Sequence, residues 1–99
     1  MAQKLPSLNV LKVFDVAASR LSFKQAAEDL CLSPSAVSHQ IKVLETQLGL
    51  PLFLRLSRGI ELTEAGQRYH REVKKGIYLL ERATEQLCGI SQDESITIS

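Results

Sequence analysis

Two short helix-like segments separated by a three-residue break, the second opened by Ser33-Pro34, constrain this chain more than any other feature. Ser33 offers a hydroxyl to cap a helix, and Pro34 stands at the first helical position, where its missing N–H costs nothing. Val37, Ile41, Leu44 and Leu48 follow at spacings of 4, 3 and 4. That spacing predicts a third helix with one buried face, stopped by Gly49. Leu32 is placed to staple onto Val37 across the cap. Upstream, Ser22 and Gln25 read as a capping box opening a second helix through Leu30, with Phe23, Ala26, Ala27 and Leu30 inside. Ala26 and Ala27 are small where the two helices must cross. The pair predicts a helix-turn-helix. An ordinary helical hairpin would show the same pattern, and the glycine common in such turns is replaced here by Cys31-Leu32.

The flanking segments complete a mainly helical fold. Ser7 reads as the cap of a first helix that carries Leu8, Leu11, Phe14 and Ala18 at helical spacing and ends near Ser19-Arg20. Leu52-Phe53-Leu54-Arg55-Leu56 and Ile60-Glu61-Leu62 flank Ser57-Arg58-Gly59, which predicts a two-stranded hairpin. Thr63 with Glu64 caps a fourth helix running to about Cys88, with Gly89 as its stop. At ~37 Å by helix rise, it is too long for a domain this small to cover. The expected organisation is a three-helix core with a β-hairpin wing over residues 1–62, a long dimerisation helix over 63–89, and a hinge over 90–99. In the hinge, Ile96-Thr97-Ile98-Ser99 begins a strand-like alternation, as at the entrance to a further domain.

Composition excludes several classes. No run approaches the roughly 18 apolar residues that cross a bilayer, and Ala2-Gln3-Lys4-Leu5-Pro6 does not resemble a signal peptide. A cytoplasmic protein is expected. Cys31 and Cys88 stand in no metal or redox spacing and are expected reduced, in a core or an interface. Ser38 and His39 are sequence neighbours that diverge by about 100° on a helix, so they cannot pair as nucleophile and base. No ligand set surrounds His39 or His70. Neither a catalytic site nor a metal site is expected. The first 60 residues carry seven Lys/Arg against four acids, whereas residues 61–99 carry five against seven. The basic part therefore coincides with the helix-turn-helix.

The outer face of the third helix shows what that part can contact. With the apolar stripe turned inward, Ser35, Ser38, His39 and Lys42 face outward, and no acid precedes Glu45. Hydroxyls and an imidazole can reach base edges in a major groove, and Lys42 can meet phosphate or guanine. Backbone N–H groups at Ser35 and Ala36 are expected to be free at the helix start, where a phosphate fits. Arg55 and Arg58, on either side of the hairpin tip, suit a wing following a minor groove or backbone. Ser22 and Lys24 are candidates for backbone contact from the second helix. In the fourth helix, Tyr69, Val73, Gly76, Leu80, Ala83 and Leu87 recur at heptad spacing, with Ile77 widening the stripe. This seam implies a partner helix and a homodimer. The competing class is a protein-interaction module in which the helix-turn-helix is only scaffold.

These residues taken together resemble a known family. Phe14 with Ala17-Ala18, Leu21-Ser22-Phe23, Ala26-Ala27 and Leu30, the run Ser33 to Ile41, Leu44-Glu45, Leu48-Gly49, Leu52-Phe53, Arg55 and Leu62-Thr63-Glu64-Ala65-Gly66 are similar to the N-terminal region of LysR-type transcriptional regulators. The resemblance implies a winged helix-turn-helix that binds an inverted-repeat operator in double-stranded DNA. It also implies a linker helix pairing antiparallel between subunits, and dimers or tetramers. It assigns base reading to Ser33, Pro34, Ser35, Ser38, His39 and Lys42, and the wing to Arg55 and Arg58. No cofactor is expected in these residues. A small-molecule effector is expected for a C-terminal domain, and RNA polymerase is a further partner in a full-length protein. Many members carry Gln-Pro where Pro34-Ser35 stands and arginine where His39 stands, so the operator sequence does not follow from the resemblance.

Overall fold

Four hydroxyl caps set where the helices begin. The computed structural model describes residues 5–89, so the expected hinge at 90–99 and its strand-like end lie outside the described residues. Helices α1 (Leu8–Arg20), α2 (Phe23–Leu30) and α3 (Pro34–Leu48) are followed by strands β1 (Phe53–Leu56) and β2 (Gly59–Leu62), then α4 (Glu64–Thr84). The side-chain oxygens of Ser7, Ser22, Ser33 and Thr63 accept from the N–H groups of Val10, Gln25, Ala36 and Gly66 at 2.9–3.2 Å. Each cap thus satisfies one otherwise unpaired donor of the first helical turn.

Helices α1 to α3 end in the left-handed region, although only one has glycine there. Leu21, Cys31 and Gly49 have φ of 53°, 59° and 81°. At the helix-turn-helix break, the Leu32 N–H reaches the Ala27 carbonyl at 2.9 Å and the Cys31 N–H reaches the Glu28 carbonyl at 3.3 Å. These two bonds form a Schellman closure, which holds Cys31 in a conformation that usually selects glycine. Cys31 is free, as expected, but exposed rather than buried, because a residue at this cap position points away from both helices. Cys88 is likewise exposed. Leu32, expected to staple onto Val37, is 41% exposed.

Phe14, Ala17, Ala26, Val37, Ile41, Leu44 and Leu52 form the solvent-free centre of the core. The alanines on α1 and α2 let the helices approach closely, and the stripe on α3 closes over them. Leu8, expected on the inner face of α1, is half-exposed, because the first turn of α1 projects past this core. Arg20 at the end of α1 meets Asp29 of α2 through two bonds of 2.7 and 3.1 Å. The hydrogen bond to Asp29 and its charge raise the Arg20 pKa.

The hairpin is antiparallel with Phe53 opposite Leu62 and Leu56 opposite Gly59, leaving Ser57-Arg58 as a two-residue turn. Gly59 follows it with φ of 113°, a value that L side chains rarely adopt. Two polar contacts fix the base of this hairpin. The Glu45 carboxylate of α3 accepts from the N–H groups of Leu52 and Phe53 at 2.8 and 3.1 Å. Thr63 donates its hydroxyl to the Pro51 carbonyl at 3.0 Å. Gly66, on the first turn of α4, packs directly on the Leu52 carbonyl, and a Cβ there would overlap that oxygen.

Helix α4 crosses α1. Val73 and Ile77 are buried against it, the Tyr69 ring lies 5.6 Å from Phe14, and His70 Nε2 is 2.9 Å from Asp15 Oδ1. The α-helix ends at Thr84, short of the expected Cys88, and continues as a π-helical turn, Glu85–Gly89. There the Thr84 hydroxyl donates to the Leu80 carbonyl at 2.9 Å, a side-chain bond that competes with the regular ladder.

Gly66→Ala is expected to destabilise the chain by about 1–3 kcal/mol through overpacking, despite alanine's better helix propensity. An unchanged urea midpoint would mean that α4 does not approach the Leu52 carbonyl this closely. Glu45→Ala strands two part-buried donors and should cost about 1–3 kcal/mol. Hydrogen exchange reports the same contact: the Leu52 and Phe53 amides should exchange faster in this variant than in the parent.

Candidate nucleic-acid interface

The start of α3 presents the groups expected to read bases. Ser33, Pro34, Ser35, His39 and Lys42 are exposed and Ser38 is half-buried, while Val37, Ile41 and Leu44 are turned into the core. One expectation is corrected. The Ala36 N–H is not free, because the Ser33 hydroxyl oxygen occupies it at 3.1 Å. Pro34 has no N–H and Val37 bonds the Ser33 carbonyl at 3.1 Å, so Ser35 carries the remaining backbone donor of that turn. The Ser33 hydroxyl hydrogen stays available to donate outward while its oxygen accepts.

Glu45, the acid on α3, is held in the two backbone bonds at the base of the hairpin. Its charge is thereby directed away from the exposed first turns. A carboxylate one turn before a helix C-terminus is unfavourable to the helix dipole, which is the signal in the sequence that such a residue has work elsewhere. The residue was matched in the sequence pattern without a role, and the fold supplies one: it registers the wing on α3.

The two arginines of the wing differ in their surroundings. Arg58 stands in the Ser57-Arg58 turn itself, not beside it, and is exposed. Arg55 lies on β1 with its guanidinium carbon 4.9 Å from the centre of the Phe23 ring. Lys24 is exposed next to that ring on α2, whereas Ser22 is half-buried and its oxygen is engaged as the α2 cap. Among the described residues, Lys24, Lys42, Arg55 and Arg58 form no salt bridge, whereas Arg20, Lys74 and Lys75 do. The cations grouped around the helix-turn-helix and wing are thus not neutralised by any carboxylate among the described residues.

The seam expected on α4 divides in two. Val73 and Ile77 are 8% and 9% exposed because α1 covers them, and Tyr69 is partly buried on Phe14, where burial raises its pKa. They serve this chain's own core. Gly76, Leu80, Ala83 and Leu87 remain exposed, joined by Tyr78 and Leu79, which the heptad reading omitted. Leu79 and Leu80, together with Leu5, Leu8 and Leu11, border an apolar groove of about 550 Å³, and open space surrounds Gly76 within it. The groove arises because the first turn of α1 and the second half of α4 both extend past the core. Among the described residues, no group of three His, Cys, Asp or Glu could hold a metal, and no helix is long and apolar enough to cross a membrane.

Comparison with known proteins agrees with this geometry. Residues 8–67 match the model of the bacterial regulatory helix-turn-helix protein, lysR family. The chain is 48% identical over 99 residues to the glycine cleavage system transcriptional activator of Escherichia coli K12, covering all of this chain and 32% of that protein. It has the same identity and full coverage to the Haemophilus influenzae homolog of that activator, spanning 33% of it. The chain therefore spans about a third of the length of the curated relatives it matches. Among solved structures, the BenM DNA-binding domain in complex with catB site 1 DNA superposes with a TM-score of 0.80 at 28% identity, over 86% of this chain and 96% of that one. Corynebacterium glutamicum OxyR gives 0.81 at 28% identity, over 89% of this chain and 27% of that one. The fold is a winged helix-turn-helix with a long following helix, and the chain belongs to the lysR family of bacterial regulatory helix-turn-helix proteins.

Proposed function

We propose that this chain binds double-stranded DNA sequence-specifically as a homodimer, with α3 in the major groove and the wing on the minor groove or backbone. The observation that carries the proposal is the acid-free exposed face of α3 beside cations that form no salt bridge among the described residues. Ser33, Pro34, Ser35, Ser38, His39 and Lys42 read bases in this arrangement. Ser22, Lys24, Arg55 and Arg58 meet the backbone. The likeness to a BenM domain solved on DNA supports the same reading. Activity as a transcriptional regulator follows from the relatives' character. In a protein of the relatives' length, a small-molecule effector site, tetramer assembly and contact with RNA polymerase would lie outside these residues.

The dimer rests on the outward half of α4. An antiparallel pair of these helices would seat Leu80, Ala83 and Leu87 of one copy near Gly76 of the other, where a backbone can approach closely. The α-helical part of α4 spans ~32 Å by its rise. Two reading units separated by a rod of this order suit successive major grooves on one face of B-DNA, ~34–36 Å apart. The expected operator is an inverted repeat with half-sites one helical turn, or a multiple of it, apart.

Titration of the chain against duplex DNA at several salt concentrations tests the reading. The log–log slope should contain about −0.9 for each phosphate neutralised. A slope near zero would leave the helix-turn-helix as the scaffold of a protein-interaction module. Ser38→Ala or His39→Ala should cost about 1–3 kcal/mol on the selected site and relax base preference. Arg58→Ala should weaken selected and random duplexes alike, and the reverse pattern would overturn the docking orientation. For the dimer, Leu80→Asp places a carboxylate in the apolar seam, where an unpaired charge is strongly unfavourable. Sedimentation should show a folded monomer that keeps weak non-specific binding and loses the tight site. A dimer at micromolar concentration would move the interface off this helix.

A further inference from the structure

We infer that Phe23 is a positioning residue for the wing, its ring holding the Arg55 guanidinium ready for a DNA phosphate before DNA arrives. The inference rests on the DNA-binding reading above and adds a residue to it. The guanidinium carbon of Arg55 lies 4.9 Å from the ring centre, inside the ~6 Å reach of a cation–π contact.

Phe23 is itself held on two sides. It is the first residue of α2, directly after the Ser22 cap, so its backbone is fixed by the helix start. Its ring meets Phe53 edge to face at 5.4 Å and 83°, and Phe53 meets the fully buried Phe14 at 5.7 Å and 69°. The Phe53 N–H is bound in turn by the Glu45 carboxylate. Contacts therefore run without a gap from α3, through Glu45, Phe53 and Phe23, to the wing cation. The cation is positioned relative to the helix that carries the base-reading groups.

The chemistry of the contact suits a phosphate ligand. Arg55 is long and rich in rotamers, and its cross-strand neighbour is Ile60, which offers no charge to orient it. Among the described residues no carboxylate pairs with it. A carboxylate would order the side chain but also neutralise it and occupy its donors. A ring face orders the planar guanidinium while its five N–H groups stay at the edge, free to donate. Among the described residues, Arg58, in the turn, has no aromatic neighbour of this kind and must be ordered on binding.

Five forms of the 99-residue chain test this: the parent, F23L, F23Y, R55A and the double variant F23L/R55A that closes the cycle. Each is titrated with the duplex that the parent selects from a random pool, at several salt concentrations. F23L keeps apolar bulk and drops the ring face. It should lose about 2- to 10-fold in affinity, the span that ordering one such side chain on binding takes. Its salt slope should match the parent's, because the phosphate contact still forms. R55A should lower the slope by about 0.9. F23Y, which retains a ring face, should bind as the parent does, and F23L should have no further effect once Arg55 is gone. F23L at parental affinity, or an equal loss with and without Arg55, overturns the role of Phe23 while leaving DNA binding intact. No salt-dependent binding by the parent overturns the DNA reading and this role together. Should F23L not fold, proton NMR of the unbound parent decides the matter. The Arg55 δ-protons should be displaced upfield by the ring and those of Arg58 should not, and unshifted Arg55 protons overturn the placement.

Discussion

Phe14 stands where three parts of the molecule converge, and its complete burial is the contact on which their arrangement depends. Its ring meets Phe53 at the base of the wing and Tyr69 and His70 on α4. Its helix also packs on α2 and α3. A domain of this size has room for one core, and each element must bury its apolar face against the same centre. The aromatic group placed there has edges and faces to offer in several directions at once. The hairpin could not stand alone in water, and α4 could not bury Val73 and Ile77 without α1.

Polar contacts then fix what the apolar core leaves loose. Hydrophobic burial is non-directional, so it sets which elements meet but not the register in which they meet. The Glu45 carboxylate selects the position of Leu52 and Phe53 along α3, and the Thr63 hydroxyl ties the start of α4 to Pro51. Asp15 and His70 fasten α1 to α4 beside the core. Directional bonds at these junctions hold the proposed reading helix, the wing and the proposed dimerisation helix in one geometry, as contact with a regular duplex requires.

Helix α4 serves two masters with one stripe. Its first half turns Tyr69, Val73 and Ile77 inward, and its second half leaves Leu79, Leu80, Ala83 and Leu87 in solvent. The change occurs near the start of α1: beyond Leu8, Leu5 and Pro6 border the later turns but leave Leu79 and Leu80 exposed. The proposed partner copy would complete a surface that this chain starts.

Much of this was legible in the residue order because it depends on neighbours in sequence. The caps at Ser7, Ser22, Ser33 and Thr63, the Pro34 start, the Gly49 stop and the 3.6-residue periodicity of α3 are local, and each element formed about where these signals lie. What the sequence by itself determined was therefore the element order, the inward face of α3 and the outward set of polar residues at its start. Tertiary structure decided the rest. Spacing reports that a face is apolar but not what covers it, so the heptad on α4 could not say that Val73 and Ile77 face α1 while Leu80 faces out. It likewise could not show that Glu45 reaches seven and eight residues ahead to the hairpin, or that Phe23 lies under Arg55. Those contacts join residues brought together only when separate elements pack around Phe14, and distance along the chain carries no information about them.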